Sequence, residues 1–284
     1  MSDTPREESR PLEGTVALVT GASRGGGKGI ALVLGEQGAT VYVTGRSVRG
    51  EPTTLSRPGT IDDTADEIRA RGGDAVPLRC DHADDEQVRA VFDRISDEQG
   101  RLDLLVNNAW SGYEIGPDPS LPFWEIEWRH WDLMFTGGLR ATAFASRLAA
   151  PMMVRSRRGL IVNITWVLDR PHGHAFYEVV KNGTNKLTEQ LAEDLGPHGV
   201  TCLAVSPGFM RLERMQLSPE EAAMTESAEF AGRAIAALAA DPDVMTKSGR
   251  VFTTPALAKE YGFTDVDGSQ QSEFWTRHWA GAWG

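Results

Sequence analysis

Residues 15–29 read TVALVTGASRGGGKG. A short apolar, β-branched run, Thr15–Thr20, passes directly into a cluster of glycines, and a helical pattern follows over Lys28–Gln37. The run predicts a buried strand. A plain tight turn between strand and helix needs one or two glycines, not this many. Gly21, Gly25 and Gly27 let the chain turn sharply and bring backbone N–H groups against a ligand. The helix that follows opens with its partial positive charge at the same place, which favours an anion such as a pyrophosphate. In this strand–turn–helix setting the glycines point to dinucleotide binding.

Outward from this stretch, strand and helix patterns keep alternating. Strands are predicted at Thr40–Thr44, Ala75–Cys80, Leu102–Val106, Leu160–Ile164, Val200–Val205 and Val251–Thr254. Helices are predicted at Ile61–Arg71, Asp84–Gln99, about 124–155, Phe176–Leu195 and Ala228–Ala240. Single helices between strands imply crossover connections, hence a parallel sheet covered on both faces. The expected fold is α/β: a Rossmann-type doubly wound parallel sheet of about seven strands. Residues 1–12 read as a flexible tail and 13–284 as one domain, with a C-terminal extension from about 255 that is irregular and carries Trp275, Trp279 and Trp283. Residues 45–60, rich in Gly, Pro, Ser and Thr, read as loop.

Bulk composition narrows the function. The 284 residues carry 40 acids against 29 bases, a net charge of −11. That argues against nucleic acid or an anionic membrane as partner. No apolar run reaches the ~18 residues needed to span a bilayer. Two cysteines, Cys80 and Cys202, sit by apolar runs, and no spacing suggests a metal site. A cytoplasmic location is expected.

Three further residues define the expected cofactor. Arg24 lies in the glycine turn. Arg46 and Ser47 follow the second strand, where dinucleotide folds read the adenosine ribose. A cation there accommodates the 2′-phosphate of NADP, whereas an acid would bind the 2′-hydroxyl of NAD. Tyr177 and Lys181 stand four apart on a predicted helix and share a face. An ammonium beside a phenol, joined by an oxidised nicotinamide ring, favours phenolate and lowers its pKa. Tyr177 then serves as acid or base toward a carbonyl or alcohol oxygen.

The order Thr20-Gly21-x-x-x-Gly25-x-Gly27, Asn107-Asn108-Ala109, Tyr177-x-x-x-Lys181 and Pro207-Gly208 resembles the short-chain dehydrogenase/reductase family over about residues 12–255. The segment Leu257–Gly262 with Asp265–Gly268 is similar to one subgroup of that family, found in animals and bacteria. The resemblance implies that Gly21, Ser23, Arg24, Gly25, Gly27, Arg46 and Ser47 hold NADP(H). Asp81 would meet the adenine, and Asn107 and Ala109 the cofactor's ribose region. Lys181 and Tyr177 would hold the nicotinamide ribose, and Pro207-Gly208 would flank the nicotinamide. It also implies a small-molecule carbonyl or alcohol substrate and assembly as a homodimer or homotetramer.

The family pattern breaks at four places. Thr165 and Trp166 stand where the family has its substrate-bonding serine. Thr165 is the expected substrate-orienting hydroxyl; the alternatives are a loop histidine, His172 or His174, or no donor, with Trp166 filling the space and offering only an indole N–H. Gly138 stands where many relatives place an asparagine that holds a water leading to the lysine. Trp110 replaces the glycine that completes Asn-Asn-Ala-Gly, and Leu212 a threonine near the nicotinamide amide. Trp110, Tyr113, Phe123, Trp124, Trp128 and Trp131, joined by Trp166, form an aromatic-rich region near the carboxyl edge of the sheet; several are expected to line an apolar substrate pocket, with core and helix packing the equal alternative for Trp128 and Trp131, under a lid over 209–222 that carries Met210, Met215 and Leu217. The expected activity is an NADP(H)-dependent carbonyl reductase or alcohol dehydrogenase. The alternatives are an NADP-binding sensor or scaffold with weak turnover, or a non-redox reaction on the same fold.

Overall fold

A computed structural model describes residues 10–116, 121–167, 174–212, 215, 217–223 and 225–271. The strands are β1 (Val16–Val19), β2 (Thr40–Gly45), β3 (Asp74–Arg79), β4 (Leu104–Asn107), β5 (Gly159–Ile164), β6 (Val200–Ser206), β7 (Met210–Arg211), β8 (Glu226–Ser227) and β9 (Val251–Thr253). The helices are α1 (Gly25–Glu36), α2 (Ile61–Ala70), α3 (Asp85–Gln99), α4 (Arg129–Met134), α5 (Ala141–Ser156), α6 (Ala175–Leu195), α7 (Pro219–Ala223), α8 (Ala228–Ala240) and α9 (Thr254–Tyr261). Seven strands form one parallel sheet in the order β3-β2-β1-β4-β5-β6-β9. The doubly wound Rossmann-type sheet expected from the alternation is therefore present.

Strand pleating divides the core. Ala17 and Val19 of β1 point into a cluster with α1, α2, α8 and α9. Val16 and Leu18 point the other way, into a cluster with α3, α5 and α6. Both faces of each central strand are buried, which is why these strands read as continuous apolar runs. Strand order reverses between β1 and β4, because β2 and β3 lie on one side and β5, β6 and β9 on the other. Ligands in such sheets bind at the carboxyl ends of the strands flanking that reversal. The helix starts are locally encoded. Thr60 and Asp63 form a reciprocal capping box on α2, and Asp84 accepts from two backbone N–H groups of α3.

Several boundaries differ from the expectation. Helix α1 begins at Gly25, three residues before Lys28, so the glycine turn is itself the first helical turn. The helix expected over 124–155 is broken. Residues Phe135–Arg140 form a π-helical turn between α4 and α5, a geometry frequent at functional sites. The pair Gly137-Gly138 lies inside it. Residues 210–211 and 226–227, expected to be irregular or unassigned, pair as β7 and β8.

At the N-terminus, Leu12 is buried. Arg10, expected in the tail, donates to the carbonyls of Gly35 (3.2 Å) and Gly72 (2.8 Å). At the C-terminus, the extension expected to be irregular opens with α9, whose N-terminus is capped by Thr253. Beyond it, buried Asp265 accepts from the N–H (2.8 Å) and hydroxyl of Ser227, at the start of α8. Trp275, Trp279, Trp283 and His172 lie outside the described residues.

Candidate active site

The glycine turn is held by the ends of two strands. Gly21 and Gly25 have φ of +68° and +57°, the left-handed region that glycine adopts without strain. A Cβ at Gly21 would stand 2.7 Å from Ala109 Cα, and one at Gly27 would stand 2.4 Å from the Gly21 carbonyl oxygen. The wall is bare main chain because a methyl group has no room there. Thr20 Oγ1 accepts from the N–H groups of Asn108 (2.9 Å) and Ala109 (3.0 Å). Asn108 Nδ2 returns bonds to the carbonyls of Thr20 (2.8 Å) and Gly21 (3.0 Å). Asn108 thus braces the turn and, with Ala109, lines the cavity. Asn107, expected near the cofactor, does not line it. Its amide donates to Ser146 (3.0 Å) and to Asn163 (2.9 Å), a buried network behind β4 and β5. Adjacent residues at a strand end face opposite ways, so only one asparagine reaches the crevice.

One cavity of about 640 Å³ runs from this turn along the carboxyl edge of the sheet, a size suited to a small-molecule or cofactor site. At one end are Ser23, Arg24, Arg46, Ser47, Asp81 and His82. Arg24, expected to face a phosphate, is tied to the loop after β2. It donates to Ser47 Oγ (2.7 Å) and to the carbonyls of Thr54 (3.1 Å) and Gly59 (2.8 Å). Arg46 is charge-paired across the cavity, donating to Glu114 (2.5 Å), with Asp81 at 3.9 Å. Neither Glu114 nor the buried His82 was singled out for this end. His82 Nε2 lies 2.8 Å from Thr44 Oγ1, and burial pushes its pKa down to about 4. An acid seven residues past Asn107 carries no signal in the sequence, because loop geometry alone brings it back to β2.

At the other end Thr165, Trp166, His174, Tyr177, Lys181, Pro207 and Gly208 line the same cavity, with Trp110 and Tyr113. Tyr177 is buried and Lys181 half-buried on α6, one turn apart. His174 begins that helix, its Nδ1 accepting from Tyr177 N (3.4 Å). Burial, then the Tyr113 phenol, raise the Tyr177 pKa well above 10. The ammonium of Lys181 does not bond the phenol. It donates to the Ile164 carbonyl (3.3 Å), lies 4.5 Å from the Trp110 ring centroid and 5.7 Å from that of Tyr177. Burial lowers its own pKa to about 8. The Thr165 hydroxyl donates to the Lys181 carbonyl (3.2 Å), leaving its lone pairs for a ligand.

The aromatic residues separate into two groups. Trp110, Tyr113 and Trp166 face the cavity. Phe123, Trp124 and Trp128, expected around the pocket, are exposed, Trp124 to 80%, and do not line it. Trp131 packs beside Phe135 and Phe176 instead. From the lid segment Met210, Leu212 and Met215 line the cavity; Leu217 does not. Met210 lies against Gly26 and Leu212 against Gly25, so these side chains cover the turn.

Comparison with known proteins agrees with this geometry. The family model described as short chain dehydrogenase matches residues 15–222. The chain is 36% identical to Dehydrogenase/reductase SDR family member 1 of Homo sapiens, over 93% of this chain and 87% of that protein. A metagenomic short-chain oxidoreductase solved in complex with NADP superposes with a TM-score of 0.68 at 29% identity, covering 86% of this chain and 97% of that one. The hydroxysteroid dehydrogenase of Escherichia coli superposes with a TM-score of 0.69 at 26% identity, covering 87% and 98%. No described helix is long and apolar enough to cross a membrane.

Proposed function

The chain belongs to the short-chain dehydrogenase/reductase family, and from that premise we propose that it is an NADP(H)-dependent oxidoreductase of the carbonyl reductase or alcohol dehydrogenase type. Its substrate is a small apolar carbonyl or alcohol. What carries the reading is that Tyr177 and Lys181 share one cavity with the glycine turn.

The residues present fit a nicotinamide dinucleotide. Gly21, Gly25 and Gly27 line the cavity at the start of α1, where main-chain N–H groups and the helix N-terminus favour an anion such as a diphosphate. Gly21, Ser23, Gly25 and Gly27 would hold the diphosphate, and Arg24 stiffens the loop beside it. Arg46 and Ser47 would meet the 2′-phosphate, and Asp81 and Ala109 the adenosine. Tyr177 and Lys181 would hold the nicotinamide ribose, and Pro207 and Gly208 would flank the nicotinamide. When bound, the nicotinamide supplies the two-electron step. Tyr177 supplies the proton. Its phenol O–H would give that proton to the carbonyl oxygen during reduction. Lys181 orients that phenol, and Met210, Leu212 and Met215 exclude water. Buried, unpaired Cys80 and Cys202 support a reducing, cytoplasmic setting. The exposed Phe123, Trp124 and Trp128 support assembly as a homodimer or homotetramer, which light scattering measures.

The test is NADPH oxidation against a panel of apolar aldehydes, ketones and quinones. Tyr177→Phe is expected to lower kcat by about 10²–10⁴-fold while NADPH affinity holds. Equal turnover in both proteins would sink the reading. A second reading, an NADP-binding protein with weak turnover, is favoured by one observation. Thr165 spends its only proton on the Lys181 carbonyl, so it cannot donate to a substrate oxygen in this arrangement. Tight NADPH binding with no turnover across the panel would select it.

A further inference from the structure

Trp110 and Gly138 share one volume. A Cβ at Gly138 would lie 2.7 Å from Trp110 Cζ3 and 3.2 Å from Val180 Cγ1. The indole and a side chain at position 138 therefore exclude each other. The π-helical turn makes room for the same segment, since a Cβ at Gly137 would meet Ser111 Oγ at 2.3 Å. Trp110 Nε1 is buried with no hydrogen-bond partner among the described residues. The ring is held by its faces and edges, not by its polar tip. One face carries Lys181 Nζ at 4.5 Å from the centroid. The same ring meets Tyr177 edge to face, with centroids 5.5 Å apart and planes at 82°. The indole thus touches both members of the pair and fixes their separation.

We propose that Trp110 is the positioning residue of the Tyr177/Lys181 pair: its π face holds the Lys181 ammonium beside the phenol, and Gly138 is small so that the ring can stand there. The inference rests on the reading of Tyr177 and Lys181 as the reacting pair. An aromatic face attracts a cation through its quadrupole, and more strongly when the cation is desolvated. Lys181 is such a cation. Among the described residues it has one hydrogen bond, to the Ile164 carbonyl, and burial depresses it. No carboxylate contributes to the depression. The π face therefore opposes burial and keeps the amine charged. Two departures from the family pattern, each a loss when taken alone, become one compensated exchange. The asparagine-held water that steadies the lysine in many relatives gives way to an indole.

A truncation of Trp110 would also admit water, so the test keeps shape and changes only the face. Tryptophan analogues carrying one to four fluorines are installed at position 110 by site-specific suppression in the full chain. Lys181 is titrated by the ¹³C shift of its Cε, assigned by its loss in Lys181→Met. No turnover is needed. The midpoint is expected to fall stepwise with fluorine number, by about one pH unit (tenfold in protonation) across the series. Trp110→Phe should fall within the range of that series. A midpoint constant across the fluorine series overturns the proposal. If the midpoint follows fluorine while the unmodified protein oxidises no NADPH with any substrate, the positioning stands and the functional reading falls.

Discussion

At the glycine end of the cavity the walls are main chain, fixed by Thr20 and Asn108 and by glycines that tolerate no Cβ. At the reacting end the walls are side chains. There Trp110, Tyr113, Tyr177 and Lys181 lean on one another around a helix with one irregular turn. The difference is one of tolerance. A main-chain wall has one solution, because the chain must pass within contact distance of itself. A side-chain wall has several, because one ring can replace another residue and its water if volume is conserved. Three departures from the family pattern, at Trp110, Gly138 and Thr165-Trp166, fall at the second end, and one, Leu212, covers the turn at the first.

The sharpest way to break this comparison is to add one methyl group at the rigid end. Gly27→Ala places a Cβ 2.4 Å from both the Gly21 carbonyl and the Asn108 amide. Overpacking of about 3 kcal/mol is expected, and with it a roughly 100-fold loss of NADPH affinity by titration calorimetry. Gly196→Ala, where nothing lies within 4 Å, is the control. Similar affinities in the two variants would mean that the turn yields and that the main-chain wall is not the constraint.

A smaller effect is expected where the rigid end meets solvent. Arg46 is held by Glu114 and lies within reach of Asp81, so an incoming 2′-phosphate must compete with carboxylates. Arg46→Ala should weaken NADPH about 10-fold or more and leave NADH unchanged. Glu114→Gln should tighten NADPH only about 3-fold, since a half-exposed ion pair contributes little. A cofactor preference unmoved in Arg46→Ala would remove Arg46 from the phosphate site.

The same contrast governs what the sequence discloses. The central strands are legible because burial on both faces writes continuous apolar runs, and the glycine turn because main-chain crowding admits one residue type. Asn107 was assigned to the crevice and Asn108 faces it, because neighbouring identical residues carry no mark of which way each points. Arg24 looked free to bind phosphate; its partners Thr54 and Gly59 sit in a loop without periodicity. Trp110 and Gly138 read as two separate defects. Residues 28 apart show a shared volume only once α6 and the π-helical turn bring them together. Propensity places a helix over 124–155 but cannot place the extra residue of a π turn, which tertiary packing against Ser111 imposes.

The mildest perturbation concerns the two titratable groups packed behind the ends of the cavity. His82, behind the rigid end, has its pKa lowered to about 4 by burial, so its stabilising contribution is lost as pH falls from the ordinary histidine value toward 4. Glu226, on β8, packs its carboxylate under Gly208 at the reacting end, where a Cβ on Gly208 would stand 2.7 Å from Oε2. Burial raises its pKa to about 8, with Asp265 adding to the shift and the Gly208 N–H opposing it. Between the ordinary carboxylate value and 8 the unfolded chain loses this proton and the folded chain keeps it, so stability falls as pH rises through that window. Glu226→Gln keeps the shape and removes the titration. It is expected to flatten the decline in Tm between pH 5 and pH 8. The gain in Tm should appear at pH 8 by scanning calorimetry, with little change at pH 5. A variant whose Tm declines as steeply as the parent would show that the carboxylate is ionised in the fold, and that this wall, like the one at the glycines, is set by the main chain of Gly208 alone.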